Sequence, residues 1–147
     1  MNEYMKLAVE QAEYGIRAGH GGPFGCVIVK DSRVIGKGHN EVVRMNDPTC
    51  HGEIMAIREA CRTLGTYDLT GCELYTTAEP CPMCRGAILW ANIRKVFYGC
   101  NISDTEAIGF RDKEFFTQGF DISEELDRSG CLEVFREYRE IRNKKGY

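Results

Sequence analysis

Two short segments carry residue types that could hold a metal ion and move protons: His51-Gly52-Glu53 and Pro80-Cys81-Pro82-Met83-Cys84. Cysteines at i and i+3 on the first turn of a helix share a face, so both sulfurs can reach one ion, and a helix N-terminus favours their thiolates. Such a pair alone is a weak signal. A structural zinc site closes with four protein ligands, usually through a second Cys-x-x-Cys, and the sequence contains no second one. His51 supplies a natural third ligand. Three ligands leave one position for water, which two thiolates and an imidazole on zinc make acidic near neutral pH. Glu53, two residues beyond His51, is expected to stand beside that position without being a ligand, take the water's proton and hand it on.

The plainer readings of the same residues must be weighed. His51 alone suits a helix-start histidine, and Cys81-Pro-x-Cys84 alone suits a redox pair. The redox reading leaves His51-x-Glu53 unexplained, whereas one metal centre accounts for all four residues. Cys50 is a rival ligand with poorer spacing, and His20 and His39 read as loop or strand-end residues without a metal role. The basic residues Arg136, Arg139, Arg142, Lys144 and Lys145 alternate with Glu133, Glu137 and Glu140, the pattern of a solvated helix face rather than a nucleic-acid surface.

The elements that must position these groups follow from periodicity. Apolar residues at 5, 8, 9, 12 and 16 predict a helix from Asn2 to about Ala18. Gly25–Val29 and Arg33–His39 predict a hairpin turning at Lys30-Asp31-Ser32. Ile54, Ile57, Cys61 and Leu64 mark a second helix, started near Thr49 or Cys50 and ended by Gly65. Cys72–Thr77 and Lys95–Gly99 read as strands, with a helix from Pro82 to about Ala91 between them, its proline at the first position. This order argues an α/β layer with helices covering a central sheet. Residues 104–130 read as loop and irregular pieces, and Leu132, Phe135, Tyr138 and Ile141 predict a terminal amphipathic helix.

At 147 residues the default is one domain, 1–147. Hydrophobic residues at 43% and charged residues at 28% exclude a disordered chain, and a net charge of -3 gives no general pull toward phosphate backbones. A small, weakly charged substrate is easier to accept. The start carries acid early, with no apolar run suited to a signal peptide or a membrane span, so a cytoplasmic protein is expected. In that compartment the eight cysteines read as small buried hydrophobes plus a metal pair.

The stretches Asn46-Asp-Pro-Thr-Cys-His-Gly-Glu-Ile-Met-Ala-Ile57 and Glu79-Pro-Cys-Pro-Met-Cys-Arg-Gly-Ala-Ile-Leu-Trp90 resemble the cytidine deaminase-like superfamily of zinc deaminases, whose signature joins His-x-Glu to Pro-Cys-x-x-Cys. Within it the chain is most similar to the small bacterial guanine deaminases, from about residue 4 to 112 and again at Asn143–Tyr147. The resemblance implies a three-layer α-β-α domain with a five-stranded mixed sheet, and one zinc per subunit on His51, Cys81 and Cys84. It implies Glu53 as proton shuttle, helped at the exocyclic amine by Asp112. Asn40, Phe24, Trp90, the backbone at Gly52 and Tyr147 match positions that hold the purine. It further implies a homodimer in which the segment of about 105–147 crosses to the partner, and conversion of guanine to xanthine and ammonia. The chain departs from the pattern at Gly52, where alanine is usual, and at Arg111, where an acidic or small residue is common. A tRNA adenosine deaminase, a deaminase of cytosine or another aminated ring, and a zinc-stabilised binding module without activity are the alternatives.

Overall fold

The computed structural model of the protein describes residues 1–118 and 122–147. Asn2 caps the first helix, α1 (Glu3–Arg17), its side-chain oxygen accepting from the N–H groups of Tyr4 and Met5. A hairpin follows, β1 (Gly25–Lys30) and β2 (Arg33–His39). Asp31 and Ser32 both take positive φ in its two-residue turn, which matches the twist of the flanking strands. One helical turn, α2 (Val42–Met45), leads to α3 (Gly52–Leu64), which ends on Gly65 in the left-handed conformation. Then come β3 (Glu73–Ala78), α4 (Pro82–Trp90), β4 (Lys95–Cys100), α5 (Ile102–Ala107), α6 (Asp112–Thr117) and α7 (Arg128–Glu140).

The strands form one mixed sheet in the order β2-β1-β3-β4. β1 is antiparallel to β2 and β3, and β4 is parallel to β3, with α4 as the crossover a parallel pair requires. Side chains of β1 alternate across the sheet. Cys26 and Ile28 join the core built with Ala56 and Ala60 of α3 and Ile88 of α4, while Val27 and Val29 pack with Tyr4 and Leu7 of α1. Both faces are therefore covered, which is why Gly25–Val29 reads as an unbroken apolar run rather than an alternating one. Gly36 and Gly38 let α3 press onto β2, since a Cβ at either would overlap the backbone of Ala56. That close approach sets the start of α3 beside the strand ends.

The α/β architecture agrees with the sequence analysis, but among the described residues the sheet has four strands where the resemblance implies five. After β4 the chain enters α5 at once. Asn101 accepts from the N–H groups of Ser103 and Asp104, and Asp104 accepts from the N–H of Asn101, a reciprocal cap that starts a helix in place of further strand. The stretch 104–130 is thus partly helical, with 119–121 outside the described residues. The terminal amphipathic helix forms as α7, yet no residue of it is buried, and Phe135 is 72% exposed.

Candidate active site

Two helix starts bring the metal-ligating side chains together. His51 caps α3 and Cys81 caps α4, each in extended backbone conformation, with Pro82 at the first helical position of α4 holding Cys84 one turn on. His51 Nδ1 lies 3.6 Å from Cys81 Sγ and 3.5 Å from Cys84 Sγ. The three ligand atoms all fall within 4.8 Å of one another. Glu53, on the first turn of α3, is buried beside them, with Oε2 3.5 Å from Cys84 Sγ and Oε1 accepting from Thr76 Oγ1 of β3 at 3.3 Å.

The electrostatics of this cluster call for a cation. Hydrogen bonding from Cys84, helped by His51, draws the Cys81 thiol down to about 4 against the effect of burial. The same shared proton, together with burial and the Glu53 carboxylate, pushes Cys84 up. Two adjacent sulfurs thus share one proton, and the second can leave only if positive charge compensates. An imidazole and two thiolates are a zinc donor set, and three of them leave a coordination position open, so the residues fit zinc. Hydrogen bonding to Cys81 raises His51, against burial. Burial raises Glu53 above the ordinary carboxylate range, with His51 pulling the other way.

His51, Glu53 and Cys81 of this cluster line a cavity of about 290 Å³. That is the small end for ligand sites, ~300–1,000 Å³, and admits one heterocycle, with a neighbouring opening of about 640 Å³ sharing His51, Cys81 and Asp112. Phe24, Asn40 and Asp112 also line the first cavity. Asn40 follows β2 and accepts from the N–H of Val42 through Oδ1 at 3.1 Å, which makes its NH₂ end the one available to a ligand. Asp112 opens α6, and burial, followed by the Cys81 charge, raises its carboxyl. Gly52 is buried behind the wall, where a Cβ would stand 3.0 Å from the Phe24 carbonyl oxygen.

Two residues named from the sequence lie elsewhere within this chain. Trp90 ends α4 nine residues after Cys81 and six after Cys84, about 13 and 9 Å along the helix, so the indole sits at the far end. There it meets Tyr147 at 5.9 Å between ring centroids, and Tyr67 Oη donates to the Gly146 carbonyl at 3.0 Å. Neither Trp90 nor Tyr147 lines the cavity. Conversely, the cavity is lined by residues to which the sequence analysis assigns no role. Phe110 meets the Phe24 ring edge-on at 4.8 Å, Arg111 lies over the Phe115 ring at 5.3 Å, and Glu79 accepts from the Ile102 N–H at 2.9 Å while pairing with Arg85. The capping box at Asn101 could have revealed α5, but nothing local to Phe110 or Phe115 reveals that they return to the cavity.

Comparison with known proteins agrees with this geometry. Residues 1–100 match the family model of the cytidine and deoxycytidylate deaminase zinc-binding region. The chain is 44% identical to guanine deaminase of Bacillus subtilis, over 98% of this chain and 97% of that one. The crystal structure of that protein superposes with a TM-score of 0.92, covering 100% of this chain and 99% of that chain. A solved guanine deaminase of Nitrosomonas europaea superposes at 0.69 with 32% identity, over 89% of this chain and 70% of that one. A tRNA-specific adenosine deaminase of Aquifex aeolicus is 45% identical over 65% of this chain and 62% of its own. With the family match spanning both ligand segments and the ligands themselves converging, the chain belongs to the zinc-binding cytidine and deoxycytidylate deaminase family.

Proposed function

We propose that this chain hydrolytically deaminates a free nucleobase, guanine to xanthine and ammonia, with Glu53 as the proton carrier. The observation that carries the reading is the buried Glu53 carboxylate beside the converging His51, Cys81 and Cys84, with Glu53, His51 and Cys81 lining a cavity that admits one heterocycle. Zinc held by His51, Cys81 and Cys84 would supply Lewis acidity that makes water nucleophilic near neutral pH. Glu53 takes one proton from that water and delivers it to the ring nitrogen adjacent to the attacked carbon, C2 of guanine. As the carbonyl forms, the remaining hydroxyl proton passes to the exocyclic amine with help from Asp112, and ammonia leaves. The raised carboxyls of both residues suit groups that must accept and return protons. Phe24 and Phe110 offer aromatic surfaces to a planar ring, Asn40 offers amide donors to its edge, and Gly52 keeps the first turn of α3 close to the Phe24 backbone.

Guanine is favoured over a tRNA substrate by the degree of the likeness. At comparable coverage, 97–98% of this chain, the Bacillus subtilis guanine deaminase is 44% identical against 33–35% for tRNA-specific adenosine deaminases, and the solved guanine deaminase superposes at a TM-score of 0.92 against 0.66 for a solved tRNA:A34 deaminase. The test is ammonia release across guanine, adenine, cytosine, their nucleosides and a tRNA anticodon stem. Release from guanine alone is expected. Release from the tRNA but not from free bases overturns the choice of substrate, and no release from any of them leaves a zinc-stabilised binding module.

We further propose a cytoplasmic homodimer. Support comes from eight free cysteines, which suit a reducing compartment, and from the uncovered apolar side of α7. Since α6 already places Asp112 in this chain's own cavity, the exchanged part is α7 and the tail, which would carry Tyr147 to the partner. Light scattering of the purified chain reads the mass, and a monomer refutes the exchange.

A further inference from the structure

A second set of metal-ligating side chains converges behind the cavity wall: His20, His39 and Glu41. His20 Nδ1 and His39 Nε2 are 2.8 Å apart, and Glu41 Oε1 lies 3.8 Å from the first and 3.7 Å from the second. A triangle with these sides has a point about 2.0 Å from all three atoms, the length of a zinc bond to imidazole or carboxylate, ~2.0–2.2 Å. The three side chains are only 15%, 11% and 9% exposed. Two imidazoles and a carboxylate suit zinc, nickel, cobalt or copper rather than calcium or magnesium.

An independent observation prepares one of these histidines as a ligand. His39 Nδ1 lies 3.2 Å from Gln11 Oε1, and an amide oxygen only accepts, so the ring proton sits on Nδ1 and Nε2 presents its lone pair to the common point. Metal-bound histidines are characteristically held by an outer hydrogen bond of this kind. The Tyr14 ring packs edge-on against both imidazoles, at 5.6 and 5.3 Å. Arg44 pairs with the same Glu41 oxygen and is the cation an incoming ion displaces; its side chain is 54% exposed and can turn to water.

We propose that His20, His39 and Glu41 form a second site for a divalent transition-metal ion, separate from the His51, Cys81 and Cys84 centre. Its ligands lie on the segment after α1 and at the end of β2, and the residues next to them, Gly21, Asn40 and Val42, line the cavity. An ion there clamps the two segments and stiffens the wall that carries Asn40. The His20 carbonyl already accepts from the N–H groups of Val43 and Arg44 at 3.0 Å each, so the ion adds a side-chain tie to an existing backbone one. The sequence analysis assigns His20 and His39 no metal role because nineteen residues and a hairpin separate them.

The test uses the full chain prepared with one equivalent of zinc, titrated with Ni²⁺ in equilibrium dialysis with both metals counted by mass spectrometry. One further equivalent per chain is expected, with a rise in Tm as nickel is added. His20→Ala and His39→Ala lose that equivalent and the rise in Tm but keep the first zinc. Gln11→Met weakens nickel about 10–100-fold through the loss of the outer hydrogen bond. A wild-type chain that takes up no nickel beyond the zinc overturns the proposal and leaves a proton-sharing imidazole pair, and retention of the extra equivalent in His20→Ala overturns it equally. Should the histidine variants fail to fold, wild-type stoichiometry and the Gln11→Met affinity decide.

Discussion

On the proposed mechanism Glu53→Gln removes the proton carrier and almost nothing else. The side chain is 6% exposed, accepts from Thr76 Oγ1 at 3.3 Å and lies 3.5 Å from Cys84 Sγ. A glutamine of the same length keeps an oxygen for Thr76 and fills the same space. Glu53 lies outside the His51, Cys81 and Cys84 donor set, so the bound zinc is expected to stay at one equivalent. The proposed reaction asks this one carboxylate first to take a proton and then to deliver it, and its burial leaves solvent no easy route to do either. A positioned acid-base group contributes about 10²–10⁴-fold. The expected loss in kcat is at the upper end, about 10⁴-fold, or roughly 5 kcal/mol at about 1.36 kcal/mol per tenfold. The assay is steady-state ammonia release from guanine, with zinc measured on the same sample and KM expected to change little. A variant that holds one zinc and turns over within tenfold of the parent refutes the role of Glu53.

Further outcomes follow from the same geometry. Asn40→Ala removes the cavity-lining amide proposed to meet the ring edge and is expected to lower kcat/KM for guanine about tenfold, the worth of one hydrogen bond, with zinc content unchanged. Stripping zinc with a chelator abolishes activity, lowers Tm and exposes Cys81 and Cys84 to thiol reagents, so two more cysteines react than in the loaded protein. Gly25→Ala drives a Cβ into the Ala8 carbonyl and the Ala12 amide of α1, and the overpacking is expected to cost about 3 kcal/mol or more in urea unfolding. The Tyr75 phenol is pushed up to about 12, by burial first and then by Glu73. Its folded value lies above its unfolded one, so the stability it contributes is complete below pH 10 and lost as the pH rises toward 12, and Tyr75→Phe flattens that fall in alkaline unfolding curves.

Local chemistry made much of this protein legible before any fold was known. His51 and Glu53 are two residues apart, Cys81 and Cys84 three, and Pro82 and Gly65 mark a helix start and a helix end, so both halves of the centre and the helices that carry them follow from short-range periodicity. The hairpin turn at Asp31-Ser32 is equally local. What joins the halves is not local. The order β2-β1-β3-β4 brings the starts of α3 and α4 to one place, and that order depends on which faces bury each other rather than on any spacing along the chain. The sheet stops at four strands among the described residues because the Asn101 cap turns the chain into α5. The same turn brings Phe110, Arg111 and Asp112 over the cavity, while the length of α4 carries Trp90 away from it to meet Tyr147. His20, His39 and Glu41 make the same point, since the hairpin return and the segment after α1 set side by side groups that the sequence keeps apart. Residue types and short spacings therefore decided which chemistry is available, and tertiary packing decided which groups share a site, because contacts between distant segments are set by buried surface and not by sequence separation.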